Sequence, residues 1–270
     1  MCFNKSFDEY YQDCFGERWT SLRQSLLEES CAVSYAGGRA VALLSPYFLN
    51  RASVLAALTL RLPEKGLVLD ACAAPGGKSL VIASNMTAET RLLSNELSNE
   101  RRRRLAKVLD GRLEASIRGR VTVSGFDAAA LASRESERGR FDAILLDAPC
   151  SCEAHTLQNP AALARWTRAR PAFLARRQWA LLSAAFLLLR PGGSLVYATC
   201  ALSPVENDGV ASHLQKKYGS AALLDVPDFT EGKRTAFGRL ILPDRDGGMG
   251  PMYIARFQKA PVSPGSNPPV

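Results

Sequence analysis

The chain has 270 residues and is 47% hydrophobic, enough to bury one sizeable core, and no apolar run approaches the roughly 20 residues that a membrane-spanning helix needs. Lys and Arg total 34 against 26 Asp and Glu, a formal charge of +8, the sign expected for a partner that presents phosphates. Seven cysteines, an odd number without regular spacing, speak against a disulfide framework; with acids early in residues 1 to 9 and hence no Arg-rich transit pattern, a soluble, cytoplasmic protein with reduced thiols is expected.

In chain order, residues 1 to about 31 pattern as amphipathic helix: Phe7, Tyr10, Tyr11, Cys14 and Phe15 share a face that Trp19, Leu22, Leu26 and Leu27 continue. Gly37-Gly38 interrupts, Pro46 punctuates, and a helical pattern resumes from 52 to 62 before Pro63 stops it. A helical extension over residues 1–44 is therefore expected ahead of one α/β domain over 45–259. From Gly66 onward, strand candidates at 67–71, 92–95, 121–124, 143–147 and 194–199 alternate with helical segments, which predicts a doubly wound, mostly parallel sheet. Segments 239–242 and 252–257 flank Asp246-Gly247-Gly248 and read as an antiparallel edge. Residues 260–270, rich in Pro and Ser, read as a disordered tail.

The segment Asp70-Ala71-Cys72-Ala73-Ala74-Pro75-Gly76-Gly77-Lys78-Ser79 follows the first strand of the alternating region and opens a helix, placing small residues where a nucleotide-like cofactor must approach the backbone. A P-loop would need glycine five residues before the Gly-Lys pair, where Cys72 stands, so a phosphate-binding NTPase is disfavoured. Glu96 ends the second strand, about 20 residues past the loop, where an acid can grip ribose hydroxyls, and Asp127 is placed likewise after the third. A nicotinamide cofactor stays open on these features alone.

Cys150 in Leu145-Leu146-Asp147-Ala148-Pro149-Cys150 and Cys200 in Leu195-Val196-Tyr197-Ala198-Thr199-Cys200 each close an apolar strand candidate. In an open parallel sheet both then face one crevice beyond the carboxyl ends of the strands. Two thiols there point to covalent chemistry and tip the cofactor choice to S-adenosylmethionine. Carbon 5 of cytosine is too poor a nucleophile to take a methyl group until a thiolate adds at carbon 6 and makes it an enamine.

The loop from Asp70 to Lys78, Asp147-Ala148-Pro149-Cys150 and Thr199-Cys200, in this order and spacing, resemble the Sun/RsmB family of RNA cytosine-5 methyltransferases. Pro191-Gly192-Gly193, Ser203-Pro204-Val205-Glu206-Asn207 and Glu96 with Arg101 extend the resemblance from about residue 45 to 257. It implies a Rossmann-like class I methyltransferase fold with a seven-stranded sheet and an antiparallel C-terminal strand. It further implies Cys200 as nucleophile, Cys150 as the group assisting elimination, Asp147 on the cytosine edge and Lys78 orienting it. Cys72, Ala73, Ala74, Pro75, Gly76, Gly77, Lys78, Glu96, Arg101, Asp127 and Asp147 would surround the cofactor. Where the family more often reads Ser-Gly-Thr-Gly after the Pro-Cys, this chain has Ser151-Cys152-Glu153-Ala154-His155-Thr156, closer to the branch typified by mitochondrial members. RNA is the implied partner, ribosomal in preference to transfer RNA, with the protein acting as a monomer.

Other readings are weighed against this one. A DNA cytosine methyltransferase would need a target-recognition insert longer than any segment here, and a non-catalytic RNA-binding or ribosome-assembly factor would not need both cysteines, Asp147 and Lys78. Cys150, Cys152, His155 and Cys200 could offer four zinc ligands, but Cys-x-Cys is tighter than structural spacing, and no metal is expected. Arg101-Arg102-Arg103-Arg104, and Arg165, Arg168, Arg170, Arg176 and Arg177 interleaved with Trp166, Phe173 and Trp179, fit either contact with unpaired nucleic acid or a solvated helix face above core aromatics.

Overall fold

The computed structural model describes residues 5–28 and 31–261. Helices α1 (Lys5–Phe15) and α2 (Trp19–Leu27) lead into strands β1 (Ala32–Gly37) and β2 (Ala42–Asn50) and helix α3 (Arg51–Leu58). The alternating region follows as β3 (Lys65–Asp70), α4 (Gly77–Ala83), β4 (Glu89–Asn95), α5 (Asn99–Arg112), α6 (Ala115–Arg118), β5 (Val121–Ser124), α7 (Ala128–Leu131) and β6 (Phe141–Asp147). Then come α8 (Glu153–Gln158), α9 (Pro160–Ala164), α10 (Arg170–Leu188), β7 (Leu189–Thr199), α11 (Asp208–Tyr218), β8 (Ala222–Leu224), β9 (Lys233–Arg234), β10 (Arg239–Ile241) and β11 (Met252–Lys259).

The sheet runs β5-β4-β3-β6-β7-β11-β10-β9, with β8 paired to the far end of β11. Strands β5 through β7 in that order are parallel, and β11 enters antiparallel against β7, Tyr253 opposite Thr199. Nine strands stand where seven are expected, because β8 and β9 are only 2–3 residues long and carry too little periodicity to read from sequence. The chain leaves β3 in one direction towards β4 and β5 and returns to β6 and β7 on the other side, so the switch point lies between β3 and β6. Pro191-Gly192-Gly193, expected ahead of a strand, lies inside β7 at a register shift against β6.

Alternation along the central strands divides the interior in two. Val68, Leu92, Leu145 and Val196 face one apolar layer, shared with Leu105 and Leu109 of α5 and Leu80 of α4. Leu69, Leu93, Ile144 and Tyr197 face the other, shared with Leu182 and Phe186 of α10 and Leu214 of α11. A strand buried on both faces needs apolar residues at every position, which is why Ala143-Ile144-Leu145-Leu146 reads as a continuous run. Helix starts are set locally: Asn50 accepts from Ala52 N at 2.9 Å, Asp127 from Ala129 N at 3.0 Å and Asn159 from Ala162 N at 3.1 Å.

The helical extension expected over residues 1–44 is helical only as far as Leu27; residues 32–50 form an antiparallel hairpin. Its apolar residues Val33, Tyr35, Val41, Tyr47 and Leu49 pack one face against the first core layer, while Leu44 and Phe48 on the other stay exposed. Residues 1–4 of that expectation, and 262–270 of the expected tail, lie outside the described residues. Helices α1 and α2 build a third cluster in which Phe7, Tyr11, Trp19 and Leu22 pack on Leu163, Trp166 and Leu202. Trp166 is buried there, 5.1 Å from Phe7 in an edge contact, and offers no base-stacking face. Each such side chain contributes about 2 kcal/mol on burial. Phe173 is 63% exposed, with the Arg176 guanidinium 5.8 Å from its ring centre. His213 sits in α11, edge-on to Trp179.

Candidate active site

The loop after β3 is pinned from both neighbouring strands. Ala71 N donates to Leu145 O at 2.9 Å and Ala73 N to Asn95 O at 2.8 Å. The buried Asn95 side chain donates to Ala71 O and Phe126 O and accepts from Phe126 N and Ser124 Oγ, tying three strand ends together. Gly76 has φ +120°, and a Cβ there would meet Val108 Cγ1 of α5 at 3.0 Å, so only glycine lets α4 start against α5. Asp70 is fully buried and accepts from Ser79 Oγ at 2.7 Å; burial pushes its carboxyl up to about 7. Burial likewise pushes the Cys72 thiol up to about 12.

A cleft of about 980 Å³ opens beyond the strand ends, lined by Cys72, Glu96, Arg101, Asp127, Asp147 and the cysteine pair. Glu96 Oε1 accepts from Ser98 N at 2.9 Å, and its Oε2 lies 3.3 Å from Arg101 Nη1; Arg101 Nη2 also donates to Ala74 O of the loop. Asp127 caps α7 and pairs with Arg177 at 2.7 Å, a hydrogen bond that holds its carboxyl below the usual range. A cavity of about 250 Å³ adjoins the cleft, lined by Ala73, Ala74, Pro75, Gly77, Lys78 and Asp147 together with Tyr47 and Phe48 of the hairpin. Gly76 lines neither space; its place is in the packing of α4 on α5.

At the end of β6, Asp147 Oδ2 lies 2.8 Å from Lys78 Nζ, which also reaches Ser53 Oγ at 3.2 Å. Burial pushes the Lys78 ammonium down, but the charge and hydrogen bond of Asp147 outweigh it and leave it above the ordinary value. Cys150 Sγ and Cys200 Sγ stand 3.1 Å apart. Cys152 is a third member of the group, 3.5 Å from Cys150 and 3.3 Å from Cys200. Hydrogen bonds from Cys150 and then Cys200 hold the Cys152 thiol down, to about 3, whereas those made to Cys152 and Cys200, with burial, push Cys150 well up. Cys200 gains from the Cys150 hydrogen bond, but donation to Cys152 and burial push its thiol well up as well.

Two buried carboxylates hold the cysteine loops. The Ser151 hydroxyl sits between Glu153 Oε1 and Glu206 Oε1, and Ser151 N donates to Glu206 Oε2 at 3.0 Å. Glu153 also receives the Tyr11 hydroxyl of α1 and Leu202 N at 3.0 Å. Gln178 of α10 bridges Pro149 O and Glu206 Oε2, and Tyr197 Oη donates to Glu206 O at 2.6 Å. Burial, then the charge of Glu153, pushes Glu206 up to about 7. Asn207 accepts from Thr199 Oγ1 at 2.6 Å and donates to Ala201 O, fixing the turn that carries Cys200.

Of the sequence-derived residues, Cys150, Cys200, Asp147 and Lys78 converge at the switch point, and Cys72, Glu96, Arg101 and Asp127 ring the adjoining cleft. Asn95, Ser53 and Gln178 carry no sequence signal of their own; Glu153 and Glu206 lie in stretches already noted, without assigned contacts. His155 lines the cleft but is not part of the three-thiol group, the one cluster of candidate metal ligands among the described residues.

A doubly wound sheet closed by an antiparallel strand beside β7, with a glycine-rich first loop and carboxylates at the next two strand ends, has the architecture of a Rossmann-like class I methyltransferase. The chain belongs to the RsmB/F family: the family described as 16S rRNA methyltransferase RsmB/F matches residues 57–258. Among curated relatives, "tRNA (cytosine(34)-C(5))-methyltransferase, mitochondrial" of Danio rerio is 33% identical over 79% of this chain and 60% of its own length. "Ribosomal RNA small subunit methyltransferase F" of Aeromonas salmonicida (strain A449) is 37% identical over 70% of this chain and 40% of its own. The chain thus spans less than two thirds of either relative. Among solved structures, NSun6 from Pyrococcus horikoshii, determined with SFG, an analogue of S-adenosylmethionine, has a TM-score of 0.67 at 26% identity, over 81% of this chain and 54% of that one. A methyltransferase homologue from the same organism shares the fold over 95% of both chains, with a TM-score of 0.72 at 22% identity.

Proposed function

We propose that the protein transfers a methyl group from S-adenosylmethionine to carbon 5 of a cytosine in RNA. The observation that carries this reading is the approach of Cys150 and Cys200 Sγ to 3.1 Å beside the Lys78–Asp147 pair, at the switch point of the sheet.

The cleft and the cavity beside it suit the cofactor in size and chemistry: the small residues Cys72, Ala73, Ala74, Pro75 and Gly77 would receive its amino-acid part, and the buried Glu96, steadied by Ser98 N and Arg101, would hold ribose hydroxyls. When bound, it supplies one electrophilic methyl group. Cys200 adds as thiolate to carbon 6 of the base, forming a sulfur–carbon bond and placing the electron pair at carbon 5, the atom to be methylated. Asp147, positioned by Lys78, holds the exocyclic amine edge of the ring. Carbon 5 would take the methyl group with that electron pair, the sulfonium donor leaving as the neutral thioether; a base then accepts the carbon 5 proton, the pair of the carbon–hydrogen bond re-forms the ring double bond as the sulfur–carbon bond breaks, and Cys150 assists that release.

The base must leave its stack to reach this crevice, which favours loops or incompletely assembled RNA. Phe173 and Arg176 on the exposed side of α10 offer an aromatic face beside positive charge for neighbouring nucleotides, whereas Arg168 and Arg177 are already paired with Asp13 and Asp127. Small-subunit ribosomal RNA is the favoured substrate. The family description and the bacterial relative support it, and the zebrafish relative makes transfer RNA the competing class.

The test is methyl transfer from labelled S-adenosylmethionine into RNA lacking the modification, with nucleoside analysis of the product. Label in 5-methylcytidine that vanishes with Cys200→Ala upholds the reading; transfer that persists in that variant overturns it.

A further inference from the structure

Cys152 has no part in the chemistry proposed above, yet it occupies a costly position. It is the only non-glycine with a left-handed backbone among the described residues, at φ +51° and ψ +61°, a conformation that favours glycine. That backbone starts α8 and turns the Cys152 sulfur onto both other thiols. A strained residue held against a reaction centre by its surroundings, here by Glu153 and Ser151 on either side, is a reason to look for a function of its side chain.

We propose that Cys152 is a redox-modification site: a hydroperoxide oxidises it, and it then closes a disulfide with Cys200 that reversibly masks the nucleophile. This rests on the reading of Cys200 given above.

Geometry permits the bond. The sulfurs of Cys152 and Cys200 are 3.3 Å apart and belong to two separate loops, so closing to a disulfide draws the loops together by little more than an ångström. Cys150 and Cys152 have one intervening residue, and a bond between them would close a small strained ring. A metal fits less well: three thiolates around zinc, at about 2.3 Å each and tetrahedral angles, stand about 3.8 Å apart, wider than any of the three separations here. Cys150 lies nearer still to Cys200, at 3.1 Å, but its thiol is pushed well up, whereas hydrogen bonds with Cys150 and then Cys200 hold the Cys152 thiol down, and thiolate is the species that peroxides oxidise. The residue also lines the cleft, within reach of a small oxidant.

The steps balance. The Cys152 thiolate attacks the distal oxygen of the hydroperoxide; a sulfur–oxygen bond forms, the oxygen–oxygen bond breaks, and the alkoxide or hydroxide that leaves takes a proton. Cys200, deprotonated, then attacks the sulfenic sulfur; the sulfur–sulfur bond forms, the sulfur–oxygen bond breaks, and hydroxide departs as water with the proton released by Cys200. Two thiols lose two electrons and the peroxide gains them. A dithiol reductant reverses the bond.

The experiment uses the whole chain, reduced and desalted, then exposed to hydrogen peroxide. Remaining thiols are blocked, peptides are mapped without reduction, and methyl transfer is measured in parallel. The expected result is a peptide pair joined through Cys152 and Cys200, methyl transfer falling in step with its formation, and both restored by dithiothreitol. Cys152→Gly, which suits the left-handed backbone, should keep its activity and resist peroxide about tenfold better. A first-formed Cys150–Cys200 bond, equal sensitivity of Cys152→Gly, or thiol loss reversed by a chelator and not by dithiothreitol overturns the proposal. A mapped Cys152–Cys200 bond in a chain whose reduced form transfers no methyl group upholds the bond and overturns the role of Cys200.

Discussion

Lys78 Nζ and Asp147 Oδ2 stand 2.8 Å apart, joining the first helix of the cofactor region to the end of the strand that leads to Cys150. Neither group is placed by its own element alone: Lys78 is set by the glycine turn before α4 and Asp147 by its position one residue before Ala148 N bonds Ala198 O. Asp147→Asn should keep the fold and lower the single-turnover rate of methyl transfer by about 100-fold or more, the scale for loss of one preorganised polar group. Asp147→Ala, which leaves the ammonium with Ser53 as its only partner, should also cost on the order of 1–3 kcal/mol in urea unfolding, discounted for the partial exposure of Asp147.

The two thiols proposed to act in catalysis should separate cleanly in a gel. Cys150→Ala is expected to let addition proceed and stall release, leaving a protein–RNA adduct that survives denaturant; Cys200→Ala should leave none. Normal turnover by Cys150→Ala would assign release to another group.

Glu96 is buried and held by Ser98 N and Arg101, so its carboxylate is aimed before any ligand arrives. Glu96→Ala should weaken S-adenosylmethionine binding in calorimetry by about 10- to 100-fold, the worth of charge-assisted hydrogen bonds to hydroxyls. Reactivity of the three clustered thiols towards a maleimide should be unchanged.

Asp70 and Glu206 have carboxyls raised from 3.8 and 4.5 to about 7, by burial first in each case. The folded chain therefore keeps these protons to higher pH than the unfolded one. The stability they contribute is complete below the unfolded carboxylate range and is lost as pH rises through about 7. Urea unfolding should give lower stability at about pH 8 than at about pH 5.5, by on the order of 2 kcal/mol, and Glu206→Gln should flatten the slope.

The central strands were legible in the sequence because burial on both faces leaves unbroken apolar runs such as Ala143-Ile144-Leu145-Leu146, and the switch-point loop because Gly76 has to be glycine. The hairpin was not. Val33 and Tyr35 alternate with residues that stay exposed, and Gly37, Gly38 and Pro46 read as breaks although the glycines belong to its turn. The clamp on the cysteine loops was hidden for another reason: Glu153 and Glu206 look like surface acids until Tyr11, Gln178 and Ser151 meet them, and those partners lie up to 142 residues away. Cys152 could be paired with His155 on paper, because nothing in a cysteine announces a left-handed backbone. Trp166, read either as a stacking platform or as core, is core because α1 and α2 fold over it.

The Tyr11 hydroxyl reaches Glu153, one residue from Cys152 and two from Ser151, so helix α1 braces the same loop that carries Cys150. Residues far upstream of the glycine loop are therefore built into the reaction centre. A graft that exchanged this opening segment for an RNA-recruiting module would have to bring its own hydroxyl to Glu153, or leave a buried carboxylate without one of its donors and the cysteine loop without its brace.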